Sequence, residues 1–151
     1  MIDNLLLPTD GSEPANRAID FTIRLLENTS CQVTLLYVVE EPVYSAFWAD
    51  GLVAPEVFLP PPEELHKELD RKAEEMLKDS LKPLREAGIE AKPKVRFGNP
   101  PSEILLEAEE GGYDMIAMGS HGRGVLGNFL LGSVSNRIVH HAKCPVVIVR
   151  Q

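Results

Sequence analysis

Met115-Ile116-Ala117-Met118-Gly119-Ser120-His121-Gly122 begins a stretch that resumes, after nine further residues, as Gly132-Ser133-Val134-Ser135-Asn136-Arg137-Ile138-Val139. Its first four residues read as a short buried strand, and the run from Ser133 reads as the opening of a helix capped by Ser133. Glycines at a strand exit let the backbone come close to a ligand, because no Cβ intervenes and a positive φ costs little. Gly132 and Ser133 would then present N–H groups at a helix N-terminus, where free donors and the positive dipole end favour an anion. Strand, glycine-bearing loop and helix in that order predict one unit of an α/β fold with an anion cradle at the strand's carboxyl end.

The same alternation runs through the chain. Leu5-Leu6-Leu7 is a buried strand ending at Pro8-Thr9-Asp10, and a helix follows from about Ser12 with Ala15, Ala18, Ile19, Thr22 and Leu26 on one face. Val33 to Val39 is a second strand, rich in β-branched residues. After a proline-bearing loop from Glu40 to Pro62 comes the longest helix, Glu63 to Ala87, with Leu65, Leu69, Ala73, Met76, Leu77, Leu81 and Leu84 at helical spacing. Gly88 should stop it and Pro83 should bend its last turn. Ala91 to Phe97 is a third strand, placed at a sheet edge by Pro93. Asn99-Pro100-Pro101-Ser102 opens a short helix closed by Gly111-Gly112, and Pro145 to Val149 is the fifth strand.

This pattern predicts a single α/β domain over residues 1–151: an open parallel five-stranded sheet, Rossmann-like, with helices on both faces. Such a sheet binds ligands at its carboxyl edge where the strand order reverses. The order 3-2-1-4-5 puts that reversal between Asp10 and Gly119 and makes strand 3 an edge. It also sets strands 2 and 5 three spacings apart, about 14 Å, too far for Cys31 to bond Cys144. Both are expected to be buried free thiols.

Charge points to the same end of the molecule. The chain of 151 residues carries a formal −8, yet no Asp or Glu follows Asp114. The acid-free tail holds Arg123, Arg137, Lys143 and Arg150, a charge of +4, which leaves −12 on the first 114 residues. An anion would approach the tail. The acidic balance, with no basic stripe, argues against nonspecific nucleic-acid or anionic-membrane binding. No apolar stretch approaches a membrane span and the start lacks the basic region of a signal peptide, so cytoplasmic residence is the expectation.

Two better-known phosphate motifs do not fit. No Gly-Lys-Ser/Thr follows a glycine run. Gly122-Arg123-Gly124-Val125-Leu126-Gly127 satisfies G-x-G-x-x-G, but it lies beyond the strand and no acidic residue follows to hold a ribose.

Pro8-Thr9-Asp10-Gly11-Ser12, Gly119-Ser120-His121-Gly122-Arg123-Gly124, Gly132-Ser133-Val134-Ser135 and Cys144-Pro145-Val146-Val147-Ile148-Val149 together resemble the universal stress protein family over nearly the whole chain. Two glycines separated by two residues, nine residues, then Gly-Ser or Gly-Thr mark its ATP-binding branch, and Gly119, Gly122, Gly132 and Ser133 match that spacing. The resemblance implies an adenine-nucleotide-hydrolase-like fold and ATP with Mg²⁺ as ligand. It implies that Asp10 holds the ribose, that Val38 meets adenine through its backbone, and that Pro8 and Thr9 line the pocket. Gly119, Gly122, Arg123, Gly132, Ser133, Val134 and Ser135 would surround the triphosphate. It further implies a homodimer along Val146-Val149 and a regulatory or sensing module with an unidentified protein partner rather than an enzyme. A slow ATP-hydrolysing or nucleotidyl-transferring enzyme on the same scaffold, and an interaction protein that holds no nucleotide, stand as alternatives. The segment from Glu41 to Pro62, with Tyr44, Phe47, Trp48 and Phe58, departs from the family's common core and could be a lid or a partner surface.

Simpler roles compete at several positions. Asp10 could merely cap the next helix. His121 reads as a loop residue rather than a base, since no acid or nucleophile is close in sequence. His140-His141 suits the negative end of a helix dipole.

Overall fold

The computed structural model describes residues 2–40, 62–121 and 131–150. Strands β1 (Asn4–Pro8), β2 (Gln32–Val39), β3 (Ala91–Phe97), β4 (Met115–Gly119) and β5 (Val146–Val149) alternate with helices α1 (Glu13–Leu25), α2 (Pro62–Glu86), α3 (Pro100–Gly111) and α4 (Ser133–His141). The strands form one sheet in the order β3-β2-β1-β4-β5, every pair parallel, as the alternation and Pro93 predicted. Glycine stops the helices where expected: Gly112 caps α3 at φ 60° and Gly88 follows α2 at φ 77°. The loop expected over Glu41 to Pro62, including Trp48, lies outside the described residues apart from Pro62, the first residue of α2.

The period of two along each strand divides the core between the faces. Leu5, Leu7, Val33, Leu35, Met115 and Ala117 pack with α1 and α2 through Ala18, Ile19, Leu77, Leu81 and Leu84. Leu6, Leu36, Val38, Ile116 and Met118 pack on the other face with Ile104 of α3 and Ile138 of α4. Cys31 is buried as expected, whereas Cys144 is only half-buried; both are free, and burial pushes both thiols up.

Which strand edges face outward follows from the hydrogen bonds. Val33 N–H donates to Glu90 O and Gly98 N–H to Val39 O, so the even residues of β3 turn their backbone groups to β2. Pro93, an odd residue, faces the open edge, where its missing N–H costs nothing.

The edge strand β3 is fastened from below by a buried carboxylate. Glu107 of α3 is 1% exposed, and its oxygens accept from Lys94 Nζ at 2.8 Å, Arg96 Nη1 at 2.8 Å and the Tyr113 hydroxyl at 2.9 Å. Arg96 also donates to Glu103 at 2.8 Å and Glu110 at 2.9 Å. Burial pushes the Glu107 carboxyl up, but the hydrogen bonds from Lys94, Arg96 and Tyr113 outweigh it and hold the group below its ordinary value. A depressed folded-state pKa contributes stability that is present above the ordinary value of 4.5 and lost as pH falls through the folded value.

Glu107→Ala is therefore expected to cost about 1–3 kcal/mol at neutral pH, because it removes the buried acceptor shared by Lys94, Arg96 and Tyr113, while the half-exposed Lys94 is left to water and Arg96 keeps two partners. Urea unfolding should show that loss, and the gap between wild type and variant should narrow below pH 4.5. A gap independent of pH would show that the charge contributes nothing.

Candidate functional site

At the carboxyl edge of the sheet a cavity of about 450 Å³ opens where β1 and β4 leave in opposite directions. Pro8, Thr9, Asp10, Val38, Gly119, Gly132, Ser133, Val134 and Ser135, all expected from sequence, line it together. Gly122 and Arg123 lie outside the described residues. The walls that sequence reading missed are largely apolar: Leu36 and Val39 from β2, Met118 from β4, Leu69 from α2, and Pro100 and Ile104 from α3. Their helical contributors are remote in sequence from the glycine motif, so no local pattern announces them.

The loop after β1 is organised by its own side chains. Thr9 N–H extends the ladder to Leu36 O at 2.8 Å, and the Thr9 hydroxyl accepts from Gly11 N–H at 3.2 Å. Asp10 Oδ1 accepts from Ser12 N–H at 3.0 Å, and Ser12 Oγ accepts from Ala15 N–H at 3.3 Å. The helix cap is thus Ser12, and the competing role for Asp10 does not hold. Asp10 instead closes a turn that keeps its carboxylate at the cavity wall.

Val38 owes its position to the strand ladder. Gln32 N–H donates to Asp3 O and Leu36 O accepts from Thr9, so the even residues of β2 turn their backbone groups toward β1. Because β1 ends at Pro8, Val38 directs its N–H and C=O into the space past that end. One residue there offers a donor and an acceptor side by side.

The helix on the far side is built differently from the others. The first turns of α1, α2 and α3 carry Glu13, Glu63 with Glu64, and Glu103, whereas α4 has no acid in its first turn. Its N-cap is Gly132, which has no side chain to bond the orphan N–H groups; Ser133 is the first helical residue, so the cap expected at Ser133 is one position off. Asn136 N–H, bonding Gly132 O at 2.8 Å, already belongs to the helical ladder, which leaves the donors of residues 133 to 135 at the mouth of the cavity. The positive end of α4 is left for something other than a protein carboxylate.

Two readings of the cradle need revision. Gly119 has no positive φ, and a Cβ there would meet Pro14 O at 2.6 Å and Pro14 C at 2.7 Å. Its missing side chain makes room for the first turn of α1. Gly132 likewise has an ordinary φ of −61°. Ser135, expected to help surround the triphosphate, is 2% exposed, and its one hydroxyl proton is shared between Ser120 O at 2.7 Å and Gly132 O at 3.0 Å. It ties α4 to the exit of β4.

His140 Nδ1 lies 2.8 Å from Asn136 O at the end of α4, as the dipole reading expected. Among the described residues no group of three His, Cys, Asp or Glu side chains could hold a metal, and no helix is long and apolar enough to cross a membrane.

Gly119→Ala is expected to destabilise the fold by about 1–3 kcal/mol, since both atoms it would strike are backbone and cannot step aside. Urea unfolding reads this directly. An unchanged midpoint would mean that α1 can shift away from β4.

Known proteins share this architecture over its full length. The Bacillus subtilis universal stress protein YxiE is 31% identical over 99% of this chain and 100% of its own. The solved structure of MJ0577 from Methanocaldococcus jannaschii superposes with a TM-score of 0.82 at 30% identity, covering 100% of this chain and 97% of that one. A universal stress protein from Archaeoglobus fulgidus, solved in complex with dAMP, superposes at 0.66 with 18% identity over 99% of this chain and 98% of its own, a likeness of fold alone. The sequence profile of the universal stress protein family matches residues 1–150, and with the strand order, the switch-point cavity and the full-length relatives it establishes that the chain belongs to that family.

Proposed function

We propose that this protein binds ATP with Mg²⁺ in the switch-point cavity and acts as a cytoplasmic regulatory or sensing module of the stress response, a single domain over residues 1–151. The observation that carries the reading is convergence: the exits of β1, β2 and β4 and the acid-free N-terminus of α4 meet at one cavity. The fold relative solved with dAMP supports an adenine nucleotide.

The parts divide the ligand between them. Val38's N–H and C=O match the ring acceptor and exocyclic donor of adenine, whereas guanine reverses that order. Asp10 is positioned for the ribose hydroxyls. The backbone donors of residues 133 to 135, with Gly122 and Arg123, take the phosphates. Mg²⁺ fits as an ion carried chiefly by phosphate and water, because the described residues of the cavity supply carboxylate and hydroxyl oxygens but no metal cage among themselves. When bound it would neutralise phosphate charge. Turnover is expected to be absent or below about one per minute, far under the usual enzyme range, so occupancy rather than chemistry carries the signal.

The two sheet edges differ in a way that favours one mode of assembly. β3 exposes Lys92, Pro93 and Lys94, residues that discourage edge pairing, whereas β5 is Val146-Val147-Ile148-Val149, all half-buried and none charged. A homodimer through β5 about a two-fold axis follows.

Titration calorimetry tests the nucleotide reading: ATP should bind at least tenfold tighter than GTP, since a site built around a hydrogen-bond pattern leaves groups unpaired with the wrong base. Asp10→Asn keeps an acceptor for Ser12 N–H and should weaken ATP roughly tenfold while leaving inorganic triphosphate unchanged. Equal losses for both ligands would remove Asp10 from the ribose.

Light scattering tests the assembly. Val147→Lys with Val149→Lys should convert a micromolar dimer to monomer; a wild-type monomer, or an unaffected dimer, would refute pairing through β5.

A further inference from the structure

A second cavity, of about 400 Å³, lies between α1 and α2. The loop after β1 separates it from the first, since Asp10 lines one and its neighbour Gly11 the other. Each wall carries a carboxylate, Asp20 on α1 and Asp79 on α2, and among the described residues no Lys, Arg or His lines the space. Neither carboxylate has a hydrogen bond or ion pair with another described residue, whereas Glu13, Glu68, Glu75 and Glu86 of the same helices are each met by Lys or Arg within 3.9 Å. Ser80, 7% exposed, donates its hydroxyl proton to Met76 Sδ at 3.6 Å, and its oxygen accepts from no described residue. Pro83, inside α2, has no N–H, so the carbonyl of Asp79 lacks the helical donor four residues on. A recess holding this many open acceptors and no cation is completed by a ligand that donates hydrogen bonds and carries positive charge.

The lining also decides which kind of cation. Ile19, Met76 and Pro83 supply apolar surface beside the polar groups, suited to methylenes rather than to a hydrated ion. The space is far larger than one metal ion, and among the described residues no three His, Cys, Asp or Glu side chains could hold one. A lysine side chain from another protein brings one ammonium and answers one carboxylate, whereas carboxylates on two different helices suit a ligand with two. We propose that this cavity binds an aliphatic diamine or polyamine, its ammonium groups on Asp20 and Asp79 and its methylenes against Ile19, Met76 and Pro83. Bound there, the ligand ties α1 to α2 beside the loop that carries Asp10. The site does not depend on the nucleotide reading.

Titration of the ¹⁵N-labelled full-length protein with spermidine, putrescine and butylamine at low salt tests it. Spermidine and putrescine should move the amide signals of Gly11, Asp20 and Ser80 to saturation. Asp20→Asn with Asp79→Asn should weaken spermidine about tenfold, the sum of two partly exposed ion pairs. Glu27→Gln with Glu74→Gln removes the same charge from exposed carboxylates outside the cavity and should weaken it less than about twofold. None of the four carboxylates has a partner among the described residues, so neither pair of changes removes a contact of the fold. Butylamine, of the same chain length as putrescine but with one ammonium, should bind about fivefold more weakly. Signals that drift without saturating, equal losses in the two double variants, or butylamine binding as well as putrescine would each overturn the proposal, the second by reducing the effect to general attraction to an acidic surface. ATP binding, present or absent, bears on none of these outcomes.

Discussion

The end of β4 and the first turn of α1 meet with no room for a methyl group, a Cβ on Gly119 standing 2.6 Å from the carbonyl oxygen of Pro14. That contact fixes how far apart the exits of the two central strands can be. β1 delivers the chain to α1 through Thr9, Asp10 and Ser12, whose side chains consume the loop's own N–H groups, so α1 begins at a defined place. β4 must pass beneath it before turning toward α4. The cavity is the space that remains once α1 sits on Gly119 and Ser120 is bonded to Val149 and Gly132. A side chain at 119 would therefore disturb the site through packing even if no ligand ever touched it.

The helices around that space are treated unequally. α1 is capped by Ser12 and carries Glu13 in its first turn, so its dipole is answered within the protein. α3 is capped by Asn99 and carries Glu103, whose carboxylate is in turn held by Arg96. α4 has a glycine cap and no acid. Since each orphan N–H left without a partner costs stability, such an end is sustained by an anion or by water.

Much of this was legible in the chain itself. Strand and helix identities followed from periods of 2 and 3.6, and the order 3-2-1-4-5 followed from one proline and the switch-point rule, because Pro93 can occupy only an outward-facing edge position. The site residues could be named because they sit at strand exits and a helix start. Their individual roles could not. Whether a glycine is required by a ligand or by a neighbouring helix depends on what stands beside it, and Pro14 is more than a hundred residues from Gly119 in sequence. The resemblance put Ser135 around the triphosphate; that its hydroxyl proton is held by Ser120 O and Gly132 O is a tertiary fact. The Glu107 cluster was invisible for the same reason, since an acid on an amphipathic helix reads as solvated until Lys94 and Arg96 are seen above it. Part of the cavity's apolar wall comes from Leu69 of α2 and Pro100 and Ile104 of α3, which carry no nucleotide motif.

The distribution of the site over the sequence has an energetic consequence. A ligand in the cavity would touch segments near residues 9, 38, 120 and 133, each closing a different crossover of the sheet. None of these segments retains its neighbours in the unfolded chain, so the unfolded state has no affinity to offset binding. Stabilisation then follows the full mass-action term, about 2.7 kcal/mol when free ligand is a hundred times Kd. On the proposed reading that is a large share of the stability of a domain this size, typically about 5–15 kcal/mol in all. Occupancy would be felt most by the pieces with the fewest other anchors, namely α4, whose cap bonds nothing through a side chain, and β5, which pairs only with β4 and forms the sheet's unblunted edge. A nucleotide that braces α4 also braces Ser120, and Ser120 is bonded to Val149 at the end of β5. The path from cavity to edge strand is thus two hydrogen bonds long, short enough for ligand occupancy to bias how β5 presents itself to another chain without any chemical step.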